Sequence, residues 1–155
     1  MAPEKEMNET IHILVRGVII VDDHVLLAHA KDAANTFLPG GYVEVGESLA
    51  HALSRELAEE LGCASRVANY LGLVEHQWNA GDYRQHELNH LFLASLTGIT
   101  STQALPSRES HLEFRWARLA ELTNHNLLPA PLTGIIQRHA QGKRGPVWAS
   151  TLPAQ

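Results

Sequence analysis

The segment from Leu38 to Gly62, LPGGYVEVGESLAHALSRELAEELG, limits the fold of this 155-residue chain more than any other. Within it, leucine recurs every four residues, at Leu49, Leu53, Leu57 and Leu61. This spacing predicts an amphipathic helix with Ser48 as its N-cap and Gly62 at its end. The Pro-Gly-Gly sequence ahead of the helix predicts an irregular turn. The segment therefore puts a glycine-rich turn shortly before a helix with one apolar face.

Segments rich in β-branched residues surround this helix and predict strands. IHILVRGVIIV and HVLLAHA come before it, and RVANYLGLVEHQW, HELNHLFLASL and HLEFRWARL come after it. A last helix is expected to begin near Pro131. This order favours an α/β fold, with a mixed sheet covered by helices on both faces. We divide the chain into a flexible N-terminus (1–10), one folded domain (11–141) and a loose tail (142–155).

The bulk composition argues against several classes of protein. The formal net charge is −5, from 12 basic and 17 acidic residues, which disfavours non-specific binding to nucleic acid. Cys63 is the single cysteine, so neither an internal disulfide nor a CxxC zinc site can form. The polar first ten residues do not resemble a signal peptide, and no run of 18 apolar residues exists. We expect a cytoplasmic protein without a membrane partner.

Three glutamates crowd one face of the predicted helix. Glu56, Glu59 and Glu60 stand at i, i+3 and i+4, where like charges destabilise a helix by roughly 0.2–0.5 kcal/mol per pair. A solvated acidic face would be the structural explanation. However, Arg55 is the one basic residue of the segment, so no cation at i+4 answers these acids. Carboxylates near exposed carbonyls of Gly40–Gly41 suit Mg²⁺ or Mn²⁺, which would turn the repulsion into coordination.

The same residues carry a family resemblance. The pattern G-x5-E-x7-R-E-U-x-E-E-x-G-U is met at Gly41, Glu47, Arg55-Glu56-Leu57, Glu59-Glu60 and Gly62. Only the last position departs, since Cys63 stands where an aliphatic residue is usual. From Gly41 to Cys63 the chain thus resembles the Nudix hydrolase family. The resemblance implies an α/β/α sandwich that hydrolyses a nucleoside diphosphate linked to another group, with Mg²⁺ or Mn²⁺ as cofactor.

The resemblance also implies roles for the residues of the box. Glu47 and Arg55 would form a salt bridge that fixes the loop to the helix. Glu56, Glu59 and Glu60 would bind the metal, with a carbonyl from Gly40–Gly41. One of the three, with Glu56 as the first candidate, could instead orient or deprotonate the attacking water. An acid outside the box often completes such sites. Here the candidates are Glu109 and Glu113, which could equally be surface acids.

Candidate substrate contacts lie outside the box. Arg16, in an apolar strand, could reach a phosphate or serve as a salt-bridge partner. Phe37, Trp78 and Tyr83 could stack on a base, although aromatic side chains more often belong to the core. His86 and His90, together with His76, are expected to line the substrate cleft or to satisfy hydrogen bonds at a strand edge.

Other functions compete with nucleotide hydrolysis. HELNH, residues 86–90, matches the H-E-x-x-H signature of zinc peptidases, although the apolar run that follows it suits a buried strand better. A Nudix-like module that senses a nucleotide without turnover is a further alternative, against which the intact box argues. Within the hydrolase interpretation, nucleoside triphosphates, nucleotide sugars, ADP-ribose and RNA 5′ ends all stay open as substrates. A homodimer stays open as well.

Overall fold

Two β-sheets and two α-helices make up the part of the fold that the computed structural model describes, residues 9–155. Residues 1–8 of the predicted flexible N-terminus lie outside this range. The strands are β1 (Ile11–Val18), β2 (Ile20–Val21), β3 (His24–Ala30), β4 (Gly40–Tyr42), β5 (Ser65–Ala80), β6 (Tyr83–Leu96), β7 (Leu112–Arg118) and β8 (Val147–Ser150). The helices are α1 (Leu49–Leu61) and α2 (Pro131–Ala140), with a 3-10 helix at Leu119–His125.

The larger sheet mixes parallel and antiparallel pairs. Its strand order is β4-β1-β6-β5-β8, with β1 parallel to β6 and β5 parallel to β8. The remaining neighbours in this sheet are antiparallel. The smaller sheet has the order β2-β3-β7 and is antiparallel throughout. In it, β2 and β3 are joined by the predicted acidic turn, since Asp22 and Asp23 adopt the positive φ angles that suit a two-residue hairpin.

The sheets separate two apolar cores, each closed by one helix. Leu53 and Leu57 of α1 pack in one core with Val15 of β1. Leu132 and Ile136 of α2 pack in the other. Neighbouring residues of β1 and β6 point alternately into the two cores, as the period of a strand requires. The predicted α/β/α sandwich with a mixed sheet is thereby confirmed.

Helix α1 has the ends that the sequence predicts. Ser48 adopts an extended conformation, and its hydroxyl oxygen accepts a hydrogen bond from the amide of His51 at 3.2 Å. At the other end, the amide of Gly62 donates to the carbonyl of Ala58 at 2.9 Å. These caps fix where the helix begins, and so they fix the side chains of its first two turns relative to the preceding loop.

The C-terminal segment differs from the prediction. Residues 142–155 were expected to be loose, yet Val147–Ser150 form β8 and pair in register with residues 72–75 of β5. Gly72 makes this pairing feasible, because a Cβ atom there would lie 1.9 Å from the carbonyl oxygen of Val147. The amide of Thr151 also donates to the carbonyl of Glu75 at 2.9 Å. A short VWAS strand carries too little sequence pattern to be recognised without its partner.

No helix among residues 9–155 is both long enough and apolar enough to cross a membrane.

Candidate active site

A bidentate salt bridge joins the loop before α1 to the helix itself. Nε of Arg55 lies 2.7 Å from one carboxylate oxygen of Glu47, and Nη2 lies 2.8 Å from the other. Arg55 also donates to the carbonyl of Tyr42 at 3.0 Å, and Glu47 accepts from the amide of Glu44. The hydrogen bonds from Arg55 lower the pKa of Glu47 to about 2. Arg55 thus fastens the end of β4 and the following turn to α1.

The three glutamates of α1 differ in environment. Glu60 is buried, with 4% of its surface exposed, and one oxygen accepts a long hydrogen bond from the amide of Gly40 at 3.4 Å. Burial raises the pKa of Glu60 to about 8, although the charge of Arg16 opposes that shift. Burial also raises the pKa of Glu56, against a hydrogen bond from Arg55 at 3.0 Å. The Glu59 side chain is 53% exposed and lies 3.4 Å from Arg55.

The glycine-rich turn lies against these acids. A Cβ atom on Gly41 would stand 2.5 Å from the carboxyl carbon of Glu56, so any larger residue would displace that carboxylate from its present position. The neighbouring Gly40 donates the hydrogen bond to Glu60. The turn and the helix therefore bring Glu56 and Glu60 to the same place, as the spacing of the box requires.

The donor atoms at this place suit a hard divalent cation. They are all oxygens, and a buried carboxylate with a single long hydrogen bond is short of a positive partner. In the described part of the chain, however, no three acidic, histidine or cysteine side chains are gathered closely enough to enclose an ion. Glu56 turns toward Arg55 instead. Glu56, Glu59, Glu60 and the Gly40–Gly41 backbone thus fit Mg²⁺ or Mn²⁺ in chemistry and position, without being closed around an ion.

Of the two acids considered outside the box, the structure brings one to the site. The amide of Arg108, the residue before Glu109, donates to the carbonyl of Glu60 at 2.8 Å, and the charge of Glu109 contributes to the raised pKa values of both Glu56 and Glu60. Glu113 instead lies 2.7 Å from His29 and 2.8 Å from Arg115. The prediction of an additional acid therefore narrows to Glu109.

Arg16 occupies the space between the glutamates and a neighbouring cavity. Its Nη1 donates to the carbonyl of Leu38 at 3.1 Å, and its Nε donates to Oδ1 of Asn89 at 3.4 Å. The guanidinium carbon stands 5.5 Å from the centre of the Phe37 ring. Burial lowers the pKa of Arg16, against the charges of Glu87 and Glu60. Within residues 9–155, no carboxylate oxygen lies within 4.0 Å of this guanidinium, so Arg16 carries a cation that faces the cleft without a direct ion pair.

The cavity has a volume of about 330 Å³, at the lower end of the range of small-molecule pockets. Its apolar lining consists of Phe37, Leu38, Trp78, Leu128, Pro129 and Leu132. Its polar lining consists of Arg16, Asn35, His76, Glu87 and Asn89. Because Leu38 lies two residues before Gly40, the cavity adjoins the glutamates of α1.

Three residues predicted to contact substrate lie outside this cavity, namely Tyr83, His86 and His90. On β6, Glu87 and Asn89 line the cavity, and the alternate residues His86, Leu88 and His90 point to the other face of the sheet. His90 accordingly lies 2.9 Å from the hydroxyl of Tyr70, whose ring packs on Phe92. Of the two predicted roles for the histidines, His76 lines the cavity, whereas His86 and His90 do not, and His90 makes a hydrogen bond with a neighbouring strand instead.

Residues that the sequence did not single out form much of the cavity wall. Glu87 and Asn89 are two of the three residues between the histidines of HELNH, and the H-E-x-x-H pattern drew attention to the other face of the strand. Strict alternation on a recognised strand could have found both of them. The contribution of Asn35 and of the segment from Leu128 to Leu132 depends on tertiary packing, for which the sequence carries no local signal.

The fold excludes the zinc peptidase interpretation of HELNH. HELNH lies within β6, where residues four apart are separated by about 13 Å. The signature requires both histidines on one face of a helix, a single turn apart. His86 and His90 therefore cannot bind one zinc ion in the manner of that signature.

A glycine-rich turn, an acidic helix clamped by an arginine, and an adjoining cavity define a hydrolase of the Nudix class. Comparisons with known proteins agree. The family model of the NUDIX domain matches residues 11–149, which shows that the chain belongs to the Nudix family.

Two relatives and one solved structure describe the similarity. Phosphatase NudJ of Escherichia coli (strain K12) is 32% identical over 111 residues, covering 70% of this chain and 69% of the relative. An ADP-ribose pyrophosphatase of Methanocaldococcus jannaschii is 34% identical over 91 residues, covering 56% of this chain. That match spans only 52% of the archaeal protein. The crystal structure of a MutT NUDIX hydrolase from Burkholderia pseudomallei superposes with a TM-score of 0.62 at 27% identity, covering 84% of this chain and 98% of that one.

Proposed function

We propose that this protein is a metal-dependent pyrophosphohydrolase that cleaves a nucleoside diphosphate joined to another group. The observation that carries the proposal is the buried Glu60 and the partly buried Glu56 beside a cavity, with the cation of Arg16 between these glutamates and the cavity. The cavity would take the nucleoside, and the glutamates would hold the metal ion that neutralises the pyrophosphate. The names of two relatives, a phosphatase and an ADP-ribose pyrophosphatase, support chemistry on phosphate groups.

Each side chain has a task that follows from its surroundings. The guanidinium of Arg16 has five N–H groups, of which two are used within the protein, so the others can bind phosphate oxygens. Glu56, whose pKa is raised by burial, can accept a proton from the attacking water. The pair Glu47–Arg55 holds Glu56 in place without touching substrate.

Glu56, Glu59, Glu60 and the Gly40–Gly41 backbone would hold Mg²⁺ or Mn²⁺. When bound, the ion would neutralise charge on the pyrophosphate and polarise a phosphoryl oxygen. Oxygen-only donors favour these hard ions over zinc. We also propose that the reaction takes place in the cytoplasm, which the single cysteine of the chain suits.

A small-molecule substrate is favoured over an RNA 5′ end. The net charge of −5 offers no general attraction for a polynucleotide, and the cavity is lined mainly by apolar side chains. A purely sensing module is disfavoured because every acid and the arginine of the box are present.

A substrate panel tests the proposal. The purified protein is incubated with nucleoside triphosphates, nucleotide sugars, ADP-ribose and 5′-triphosphorylated RNA, and release of phosphate or pyrophosphate is followed. EDTA should abolish turnover, and Mg²⁺ or Mn²⁺ should restore it. Restoration by zinc alone, or turnover that EDTA leaves untouched, would overturn the proposed metal dependence.

A further inference from the structure

Glu87 is a carboxylate in the cavity that the hydrolysis of the pyrophosphate does not use. It lies on β6 and belongs to the cavity wall together with Trp78 and Asn89. Nε1 of Trp78 donates to Oε1 of Glu87 at 3.2 Å, and Nδ2 of Asn89 donates to Oε2 at 3.4 Å. Each carboxylate oxygen therefore accepts one hydrogen bond from the protein.

These two bonds leave a defined capacity. A carboxylate oxygen has two lone pairs, so one on each oxygen of Glu87 stays available. Because Trp78 and Asn89 hold the two oxygens separately, the carboxylate is oriented before any ligand arrives. Two neighbouring acceptors in a fixed orientation suit a ligand edge with two neighbouring N–H donors, in the same way that a carboxylate accepts the two-pronged edge of arginine.

The walls around Glu87 suit a planar ring. Trp78 is 44% exposed although it lines the cavity, so much of its indole surface is open to a ligand. Phe37 lines the same cavity, and its ring is already engaged by the guanidinium of Arg16. Aromatic side chains at the mouth of an apolar cavity are well placed to stack on a flat heterocycle.

We propose that Glu87 makes this enzyme selective for a heterocycle that presents two adjacent N–H donors, which among the standard nucleobases is guanine through its ring N–H and its exocyclic amine. The proposal rests on the proposed function, since it requires the nucleoside to occupy the cavity. It assigns Glu87 to substrate selection, and Asn89 and Trp78 to holding its carboxylate.

A purely structural role for Glu87 would be charge compensation of Arg16. The charge of Glu87 does favour the protonated guanidinium. Yet no oxygen of Glu87 lies within 4.0 Å of a nitrogen of Arg16, and the two groups are joined only through the side chain of Asn89. A compensating charge would affect every substrate alike, whereas a selecting carboxylate distinguishes between bases.

The first test uses the wild-type protein and does not depend on variants that fold. Values of kcat/KM are measured with Mg²⁺ for GTP, dGTP, ITP and ATP. ITP lacks only the exocyclic amine of guanine, so we expect it to be a poorer substrate than GTP by about 10–100-fold, mostly through KM. Equal values for GTP and ITP would overturn the proposal. A large loss with dGTP but none with ITP would also overturn it, because Glu87 would then bind the ribose.

The second test exchanges the carboxylate for an amide. Glu87→Gln keeps the shape but offers one acceptor and one donor, which complements adenine. We expect the ratio of kcat/KM for GTP to that for ATP to fall by about 10-fold or more. The control is Glu121→Gln, on the exposed 3-10 helix, in which the ratio should not change. An unchanged ratio in a folded Glu87→Gln protein would contradict the proposal.

Calorimetry separates this proposal from the proposed function. Binding of GMP, IMP and AMP is measured in EDTA, where no hydrolysis occurs. Tighter binding of GMP than of IMP supports selection by Glu87, even if no nucleotide in the activity panel were turned over. Binding of the three nucleotides with equal affinity, or of none of them, would overturn the selection and leave the hydrolysis to be judged by its own panel.

Discussion

At the scale of single residues, Glu60 combines nearly complete burial with one long hydrogen bond to Gly40. A carboxylate in that position destabilises the metal-free protein, because burial penalises its charged form. Binding a cation would remove this penalty. Glu60 therefore links metal binding to folding more directly than the exposed Glu59 does.

We expect Glu60→Gln to melt at the same temperature as the wild type in EDTA, or slightly higher. With a pKa of about 8, the buried Glu60 must take up a proton on folding at neutral pH, and glutamine avoids that cost. The stabilisation gained on adding Mg²⁺ should shrink. Metal affinity should fall by at least about 10–100-fold, because even the loss of a partner that orients a metal ligand costs that much. Melting curves with and without Mg²⁺, and turnover against Mg²⁺ concentration, measure these effects. A variant that melted lower in EDTA and still responded normally to Mg²⁺ would show a structural carboxylate instead.

Glu47→Gln should behave in the opposite way. Loss of the bidentate bridge to Arg55 should lower the melting temperature in EDTA, while the increase caused by Mg²⁺ is largely kept. Turnover should fall indirectly, because Arg55 also fixes the carbonyl of Tyr42 and the carboxylate of Glu56. The same two pairs of melting curves distinguish the variants. Loss of the Mg²⁺ response in Glu47→Gln would place this carboxylate on the metal.

The bridge also predicts a pH dependence. The pKa of Glu47 is about 2 in the folded protein, below its ordinary value of 4.5, so the folded state binds the proton more weakly than the unfolded state. Its contribution to stability is therefore present above pH 4.5 and is lost as the pH falls from 4.5 toward 2. Denaturant titrations across this window should show a smaller loss in Glu47→Gln than in the wild type. Parallel curves for the two proteins would contradict the assignment.

The residues of the site differ in whether their roles could be predicted from the sequence. The pairing of Glu47 with Arg55 could be predicted because the resemblance to the Nudix box implies a salt bridge between these two positions. The place of Glu87 could not, because its role depends on which face of β6 meets α2, and that is decided by packing. The histidines show the same limit: a four-residue spacing has one meaning on a helix and another on a strand.

At the scale of elements, the pairing of β8 with β5 depends on a single residue, Gly72. The strand β8 reaches the sheet only because Gly72 lacks a side chain. Gly72→Ala should detach Val147–Ser150 from β5, as a Cβ would stand 1.9 Å from the carbonyl oxygen of Val147 and the φ angle of +135° disfavours alanine. Limited proteolysis and amide hydrogen exchange of residues 147–150 report this directly.

The matched control is Gly134→Ala, in α2, where a Cβ would meet nothing within 4 Å. There the change should leave β8 protected and raise stability by about 0.5–1 kcal/mol, since alanine is the better helix former. Equal protection of residues 147–150 in both variants would show that β8 does not depend on the close approach at Gly72.

The elements were predictable to different degrees. Helix α1 could be placed to within a residue, because its leucine period and both caps are local features. Most strands could be recognised from β-branched runs. The parallel pairing of β1 with β6 could not be predicted, since it joins residues about 75 positions apart in register, such as Ile11 with His86. The strand β8 depends on the same kind of distant partner.

At the scale of the whole molecule, the two cores share one central sheet. Val15 and Val18 of β1 lie in different cores, as do Leu91 and Ala94 of β6. Neither core can be exposed without disturbing strands that line the other. We therefore expect a single cooperative unfolding transition in denaturant, with far-UV circular dichroism and tryptophan fluorescence giving the same midpoint. Two separate midpoints would show that the layers unfold independently.

The pairing of β8 with β5 has a consequence for how the protein is made. Thr151 is the residue after β8. Its Oγ1 lies 2.9 Å from Nδ1 of His76 and accepts a hydrogen bond from the amide of Gln77 at 3.1 Å, so Thr151 supports the wall of the cavity. Synthesis proceeds from the N-terminus, and the acidic helix and β5 leave the ribosome well before residues 147–151 do. During that interval the nascent chain holds all the glutamates of its box and an uncovered strand edge, but no finished cleft for a nucleotide. The wall of the cavity is thus completed only after residue 151 has been made, and binding of a nucleotide there cannot guide the earlier steps of folding.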